Sequence, residues 1–117
     1  MRGRIGIGVV TYNRRDIVLD TIEAIRGMTG YADVALVVAD DGSTDGTIEA
    51  LRGKRVPVIT GANMGIAWNK NRALFLLDRL LGCEAVILLE DDTRPTGKNR
   101  RAPRLRVDCL SSPIQER

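Results

Sequence analysis

The 117-residue sequence contains no histidine, two cysteines and only 3% aromatic residues. Without histidine, no catalytic scheme can be built on an imidazole. Cys83 and Cys109 have no metal-type spacing and no companion histidines, which argues against a zinc site. Both thiols are expected to be free, because a single disulfide would be unusual in an intracellular protein.

The sequence also lacks long apolar runs. None approaches the roughly 20 residues that a membrane-spanning helix needs, and the N-terminus has no apolar stretch ending in a small-residue cleavage site. We therefore expect a cytoplasmic protein with no transmembrane segment. Apolar residues make up 44% and charged residues 28% of the chain, as is ordinary for a single globular domain.

The net charge of +3 is unevenly distributed along the chain. Residues 1–97 hold 12 basic and 13 acidic residues, whereas residues 98–117 hold 6 basic and 2 acidic ones. The basic segment has no aromatic side chain for stacking on bases, so nucleic-acid binding is not expected. We predict a folded domain over residues 1–97 and a disordered basic tail over residues 98–117.

Short apolar segments alternate with helical patterns over residues 5–97. The predicted strands are residues 5–11, 34–39, 56–59 and 85–89. Three helices are predicted from apolar residues at helical spacing and from end signals. The first has Ile17, Val18, Ile22, Ile25 and Met28 and ends before Gly30; the second covers residues 47–51 and is capped by Asp45. The third has Ala67, Ala73, Leu74, Leu77 and Leu81 on one face and ends before Gly82. This order predicts an α/β fold, Rossmann-like, with four parallel strands and helices on both faces.

Ligands of such sheets bind beyond the carboxyl ends of the strands. That rule selects TYNRR (11–15), DDGSTDG (40–46) and EDDTRP (90–95). No G-x-G-x-x-G or Walker-A pattern is present, which argues against a dinucleotide cofactor and against ATP hydrolysis of the P-loop kind.

Two of these segments are strongly acidic. Glu90, Asp91 and Asp92 repel one another unless a cation such as Mg²⁺ or Mn²⁺ neutralises them, although a solvated acidic turn is the simpler alternative. In the other segment, Asp41 could accept hydrogen bonds from a base or ribose, or the loop could only be an Asx turn that caps the next helix. An EF-hand loop is excluded because Arg52 occupies the position of its final glutamate.

The segment Asn63-Met64-Gly65 precedes the third predicted helix, which carries Lys70 and Asn71 on its opening turns. A helix start with a nearby ammonium group suits a phosphate, but a well-capped helix has the same features. Trp68 could stack on a ligand or pack in the interior.

In this order and at strand ends, four segments together closely resemble family-2 glycosyltransferases. They are VVTYNR (9–14), VADDGSTDGT (38–47), NMGIAWNKN (63–71) and LLEDDTRP (88–95). The resemblance covers nearly all of residues 4–97. It implies the GT-A fold, a nucleotide-diphospho-sugar donor such as a UDP-, GDP- or dTDP-sugar, and a divalent metal, Mn²⁺ or Mg²⁺.

The resemblance also implies roles for individual residues. Thr11 and Tyr12 would lie against the nucleoside, and Asp41 would hydrogen-bond the base or the ribose. Lys70, where the family commonly has arginine, would lie near the diphosphate, and Asn71 would shape that helix start.

Glu90 and Asp92 match the two ends of the family's D-x-D motif. Asp92 would be the main metal ligand, and Asp91 would contact the ribose. The metal would neutralise charge on the departing nucleoside diphosphate.

An inverting transferase also needs a general base, which the family supplies with the acceptor pocket from a C-terminal half beginning near Gly97. Residues 98–117 do not resemble that half, so we identify no catalytic residue and hypothesise a truncated or frame-shifted chain. Without the strands that normally follow it, the fourth strand is expected at the sheet edge, where it invites self-association.

The leading hypothesis is an inverting, metal-dependent glycosyltransferase in which this chain provides donor binding. The first alternative is a non-catalytic nucleotide-sugar-binding fragment. The second is a sugar-phosphate nucleotidyltransferase, which expects a glycine-rich turn where this chain has TYNRR.

Overall fold

A computed structural model describes residues 4–28 and 34–93. Its strands are β1 (Ile5–Thr11), β2 (Val34–Asp40), β3 (Val58–Thr60) and β4 (Ala85–Glu90). Its helices are α1 (Arg15–Met28), α2 (Thr47–Gly53) and α3 (Ile66–Leu74), and α3 continues into a π-helical segment (Phe75–Leu80). Strands and helices alternate, as the sequence predicts.

The four strands form one parallel sheet in the order β3-β2-β1-β4. The register brings their carboxyl ends to one edge, with Thr11 opposite Asp40 and Val10 opposite Glu90. The polar segments that follow β1, β2 and β4 therefore meet at the same edge of the sheet. The predicted parallel α/β architecture is confirmed.

Helices cover both faces of the sheet. On one face, α1 and α2 bury Val18, Ile22 and Leu51 against inward-facing strand residues such as Val9 and Val38. On the other face, the hydrophobic side of α3 and the π-helical segment packs against alternate positions of the same strands. The principal residues of this second layer are Val10, Val37, Ala39, Ala73, Leu74, Leu77 and Val86.

Two glycines on β1 allow the second helical layer to approach closely. A Cβ atom at Gly6 would lie 2.8 Å from Leu77 Cδ2 and 2.9 Å from Cys83 Sγ. A Cβ atom at Gly8 would lie 3.0 Å from Ala73 Cβ. Gly6 and Gly8 thus serve helix–sheet packing, since any larger side chain would overlap this layer.

The third helix departs from its predicted apolar stripe. Ala73, Leu74 and Leu77 are buried as predicted, but Ala67 and Leu81 are exposed, so the prediction was wrong at both ends. After Leu74 the helix widens into π geometry, and Leu81 N donates to Leu76 O across five residues. The widened turn rotates later side chains away from the position that an α-helical period predicts.

The third strand begins two residues later than predicted. Pro57 lacks an N–H group and so cannot donate to the sheet ladder, but its carbonyl oxygen accepts a hydrogen bond from Val38 N (2.9 Å). Val56 is nevertheless buried, in the segment that leads into β3. The apolar run was identified correctly, and only its backbone pairing was misplaced.

β4 occupies one edge of the described sheet, as expected; self-association through this edge stays a prediction. Cys83 is buried as a free thiol, and this burial raises its pKa. Gly30, Cys109 and the predicted tail lie outside the described residues. Within residues 4–28 and 34–93, no helix is long and apolar enough to cross a membrane.

Candidate functional site

A cleft of about 420 Å³ lies beyond the carboxyl ends of β1, β2 and β4. Its lining on the side of β1 and β4 includes Thr11, Tyr12, Arg14, Glu90 and Asp91. On the side of β2 and α3, the lining includes Asp41, Asn63, Gly65, Ile66 and Asn69. The cleft occupies the position at which parallel α/β sheets bind ligands.

The acidic turn after β4 is tied to β1 and α1 through Asp91. Thr11 Oγ1 donates to Asp91 Oδ2 (2.9 Å), and Arg14 Nη1 donates to Asp91 Oδ1 (3.2 Å). Thr21, fully buried on α1, donates to the Asp91 carbonyl oxygen (2.6 Å). Asp91 is therefore held in place by groups from two other elements.

The two neighbours of Asp91 carry carboxylate groups on the surface. Glu90 and Asp92 are both exposed, and Thr93 N donates to Glu90 O (3.0 Å) to close the turn that presents them. In the described part of the chain, no three His, Cys, Asp or Glu side chains are grouped as a metal site. Residues 4–28 and 34–93 thus offer carboxylates at this turn but no complete metal cage.

The adjacent aspartates at the end of β2, Asp40 and Asp41, make different contacts. Asp40 is fully buried, and its carboxylate accepts hydrogen bonds from Gly42 N (3.0 Å), Ser43 N (2.8 Å) and Thr60 Oγ1 (2.9 Å). Asp40 therefore organises its own loop as an Asx turn. Asp41 instead lines the cleft, and its predicted hydrogen bond to a base or ribose stays a prediction.

Asp41 is 5% exposed and accepts hydrogen bonds from three donors. Met64 N and Arg72 Nη1 both lie 2.9 Å from Oδ1, and Gly65 N lies 2.9 Å from Oδ2. Burial alone would raise the pKa of Asp41, but the two backbone donors and the guanidinium outweigh it and hold the pKa below its usual value. Asp41 is consequently an ionised acceptor at neutral pH.

The loop before α3 is held by the same carboxylate. The N–H groups of Met64 and Gly65 precede the helix and are directed at Asp41, and the N-cap residue, Gly65, provides no side-chain cap to α3. Gly65 has φ +101°, a conformation that favours glycine.

Sequence reasoning missed two residues of α3 on this side, Asn69, which lines the cleft, and Arg72, which contacts Asp41. Asn69 is buried, and its Nδ2 donates to Ala39 O (2.8 Å) at the end of β2. Arg72 has an 11% exposed side chain and is ion-paired with Asp41. One sequence signal could have found them. Asn69 and Arg72 are polar, three residues apart and therefore on the same side of the helix, next to its apolar positions.

A second set of contacts joins the loops after β1 and β2. Asn13 N donates to Ser43 Oγ (2.7 Å), and Thr44 N donates to Asn13 Oδ1 (2.7 Å). Asp45 accepts from Thr47 N at the start of α2 (3.1 Å), but the N-cap position of this helix is Gly46 and not the predicted Asp45. The contacts of Asn13 hold the two loops together.

The structure brings only some of the predicted site residues together at the cleft. Thr11, Tyr12, Asp41, Glu90 and Asp91 line the cleft. Lys70, Asn71 and Asp92 are not among the described residues that line it; their predicted roles remain predictions. Of the two alternatives for Trp68, interior packing was wrong, because its side chain is 52% exposed.

Solved structures identify the class to which this fold belongs. One similar structure is described as mannosyltransferase PcManGT from Pyrobaculum calidifontis in complex with GDP-Man and Mn2+. It matches with a TM-score of 0.66 and 24% sequence identity, and the match covers 87% of this chain and 31% of that one. S. aureus TarS is similar with a TM-score of 0.62 and 24% identity, over 85% and 19%. The fold is GT-A, and the chain spans under a third of either structure's length.

The sequence model described as Glycosyl transferase family 2 matches residues 7–97. The chain belongs to this family. No curated protein matches it significantly.

Proposed function

We propose that this chain binds the nucleotide-diphospho-sugar donor of an inverting, metal-dependent glycosyltransferase. The observation that carries the proposal is the cleft in which Thr11, Tyr12 and Asp41 lie together at the ends of β1 and β2. The exposed ring of Tyr12 provides a surface for a nucleoside. Family membership and the GT-A fold support this assignment.

The Asp41 carboxylate retains capacity for a ligand. A carboxylate has about four acceptor positions, and Met64, Gly65 and Arg72 occupy three of them. The remaining position is at Oδ2, which receives one hydrogen bond from the part of the chain that the structure describes. We assign it to a base N–H or a ribose hydroxyl of the donor.

Glu90 and Asp92 would hold the metal. Both are exposed carboxylates on one turn, and oxygen donors of this kind are what Mg²⁺ and Mn²⁺ prefer when phosphate oxygens complete the coordination. The metal, when bound, would stabilise the negative charge of the leaving nucleoside diphosphate. The presence of Mn²⁺ and GDP-mannose in the similar mannosyltransferase structure supports this donor set.

Asp91, already fixed by Thr11 and Arg14, would contact the ribose. Arg14 lines the cleft and contributes positive charge on the side of the acidic turn. Lys70 and Asn71 are proposed to lie near the diphosphate, as the family resemblance implies.

The test is a calorimetric titration with UDP, GDP and dTDP, each with and without Mn²⁺. We expect one nucleotide to bind in a metal-dependent way, and Glu90→Gln and Asp92→Asn each to remove the metal dependence. Asp20→Asn, an exposed carboxylate change on α1, is the matched control and should leave binding unchanged. Absence of binding to all three nucleotides by folded protein would refute the proposal.

Turnover requires a separate assay. Release of nucleoside diphosphate from the matching sugar donor, measured with and without candidate acceptor sugars, distinguishes glycosyl transfer from donor binding alone. Acceptor-stimulated release supports transfer, and tight binding without release supports a non-catalytic module.

A further inference from the structure

We propose that Arg72 is a positioning residue that makes the cleft select bases with a ring N–H on the Watson–Crick edge. It does so by fixing Asp41 as a pure hydrogen-bond acceptor. Uracil, thymine and guanine present such a donor, whereas cytosine and adenine present a ring-nitrogen acceptor at the equivalent position. This inference rests on the proposed binding of a nucleoside diphosphate in the cleft.

The guanidinium of Arg72 connects three elements around the cleft. Its Nη1 lies 2.9 Å from Asp41 Oδ1, 3.0 Å from Asn69 Oδ1 and 3.2 Å from Asp40 O. Its Nη2 donates to Ala62 O at 2.6 Å, in the loop that precedes α3. The planar fork of arginine carries five N–H donors and can therefore reach acceptors in several directions from one position.

The loop before α3 closes directly over this guanidinium. A Cβ atom at Gly61 would lie 2.9 Å from Arg72 Nη2, so the loop can adopt this path because position 61 has no side chain. The same loop carries the N–H groups of Met64 and Gly65 that bind Asp41. Arg72 therefore holds both the carboxylate and the loop whose backbone donors orient it.

These contacts restrict what Asp41 can do for a ligand. Oδ1 is shared between Arg72 and Met64 N, whereas Oδ2 has one partner, Gly65 N, among the described residues. Paired with a guanidinium that is 11% exposed, the carboxylate stays ionised and cannot donate a hydrogen bond. A base that presents an acceptor to it would face an unpaired negative charge, and the site would reject that base.

The experiment compares nucleotide selectivity in Arg72→Gln, Arg72→Lys and the wild-type chain. Calorimetry with Mn²⁺ at pH 7 gives the Kd of UDP, GDP, dTDP, CDP and ADP, and of UDP methylated at N3. The matched control is Arg79→Gln, which removes an arginine that is 59% exposed and contacts Asp78 on the π-helical segment. Circular dichroism verifies that each variant is folded.

The wild-type chain should bind its preferred nucleotide at least about tenfold more tightly than CDP and ADP, the effect of one well-placed hydrogen bond. Arg72→Gln should reduce that ratio towards one, Arg72→Lys should restore part of it, and Arg79→Gln should leave it unchanged. If the wild-type chain prefers UDP or dTDP, N3-methyl-UDP should bind it about tenfold more weakly than UDP. The same methyl group should have little effect on Arg72→Gln.

A folded Arg72→Gln variant that keeps the wild-type selectivity ratio would overturn the inference. So would an equal loss of affinity for every nucleotide, because that outcome describes a structural role only. If Arg72→Gln does not fold, the ratio in Arg72→Lys decides, and an unchanged ratio there counts against the inference. If the wild-type chain binds no nucleotide, the proposed function itself fails, which is a distinct outcome from altered or unaltered selectivity.

Discussion

Replacement of Asp41 by asparagine should destabilise the domain substantially. The substitution keeps the size of the side chain but changes one carboxylate oxygen into an NH₂ group. In the better of its two orientations, that NH₂ group faces Gly65 N, so a backbone donor loses its acceptor. In the same orientation, Met64 N and Arg72 donate to a neutral oxygen in place of a charged one.

The cost can be worked from these contacts. A buried donor without a partner costs about 1–3 kcal/mol, and hydrogen bonds to charged groups exceed neutral ones by about 1 kcal/mol. The free energy of unfolding should therefore fall by about 2–4 kcal/mol, or the melting temperature by roughly 10–30 °C. For a small domain, this is a large share of the total stability.

Urea unfolding followed by far-UV circular dichroism provides the measurement, with Asp20→Asn as the exposed control. The folded-state pKa of Asp41 is depressed, so its contribution is complete above the unfolded pKa of about 3.9 and is lost as the pH falls through the lower folded value. The difference between Asp41→Asn and wild type should thus be constant from pH 5 to 8 and shrink below about pH 4. A variant as stable as wild type at pH 7, or an equal difference at pH 3, would refute the reasoning.

Three further predictions concern packing and titration. Gly8→Val should destabilise the domain by about 1–3 kcal/mol through overpacking, whereas Gly53→Ala, with open space around the added methyl group, should be neutral or slightly stabilising in the same urea experiment. The pKa of Glu23 is lowered by its hydrogen bond to Lys54; carboxyl NMR should show it returning to its ordinary value in Lys54→Met, and an unchanged pKa would contradict the ion pair. Alkylation at Cys83, followed by peptide mapping, should be slow in folded protein and accelerate on unfolding, because burial raises the thiol pKa; rapid labelling of folded protein would show that the site is open.

Much of the fold could be predicted because its signals are local. Four apolar runs alternating with helical spacings determined the element order, and parallel pairing followed from the connections between them. β1 was placed at its observed bounds, and β2 and β4 were each one residue longer than predicted. The late start of β3 depended on Pro57, and the exposure of Leu81 depended on the π-helical turn, which hydrophobic spacing does not encode.

The candidate site could likewise be predicted in part from local signals in the sequence. Acidic residues at strand ends were visible in the sequence, and so Asp41, Glu90 and Asp91 could be selected before their positions were known. The family resemblance selected Asp41 from the pair at the end of β2, whereas composition and strand position do not distinguish it from Asp40. The structure distinguishes the two by their backbone donors. Asp40 accepts from the N–H groups of residues 42 and 43 in its own loop, whereas Asp41 accepts from those of residues 64 and 65 beside the cleft.

The sequence by itself determined the class of fold, the family and the edge of the sheet where the site lies, because periodicity and short motifs depend on neighbouring residues. Only the tertiary structure decided how that edge is built. Asn69 lies within a resembling segment but was given no role from it, and Arg72 lies just beyond that segment. Asn69 lines the cleft and Arg72 contacts Asp41 because α3 crosses the ends of β1 and β2. Contacts between residues 30 or more positions apart arise from chain packing, and no local pattern in the sequence records them.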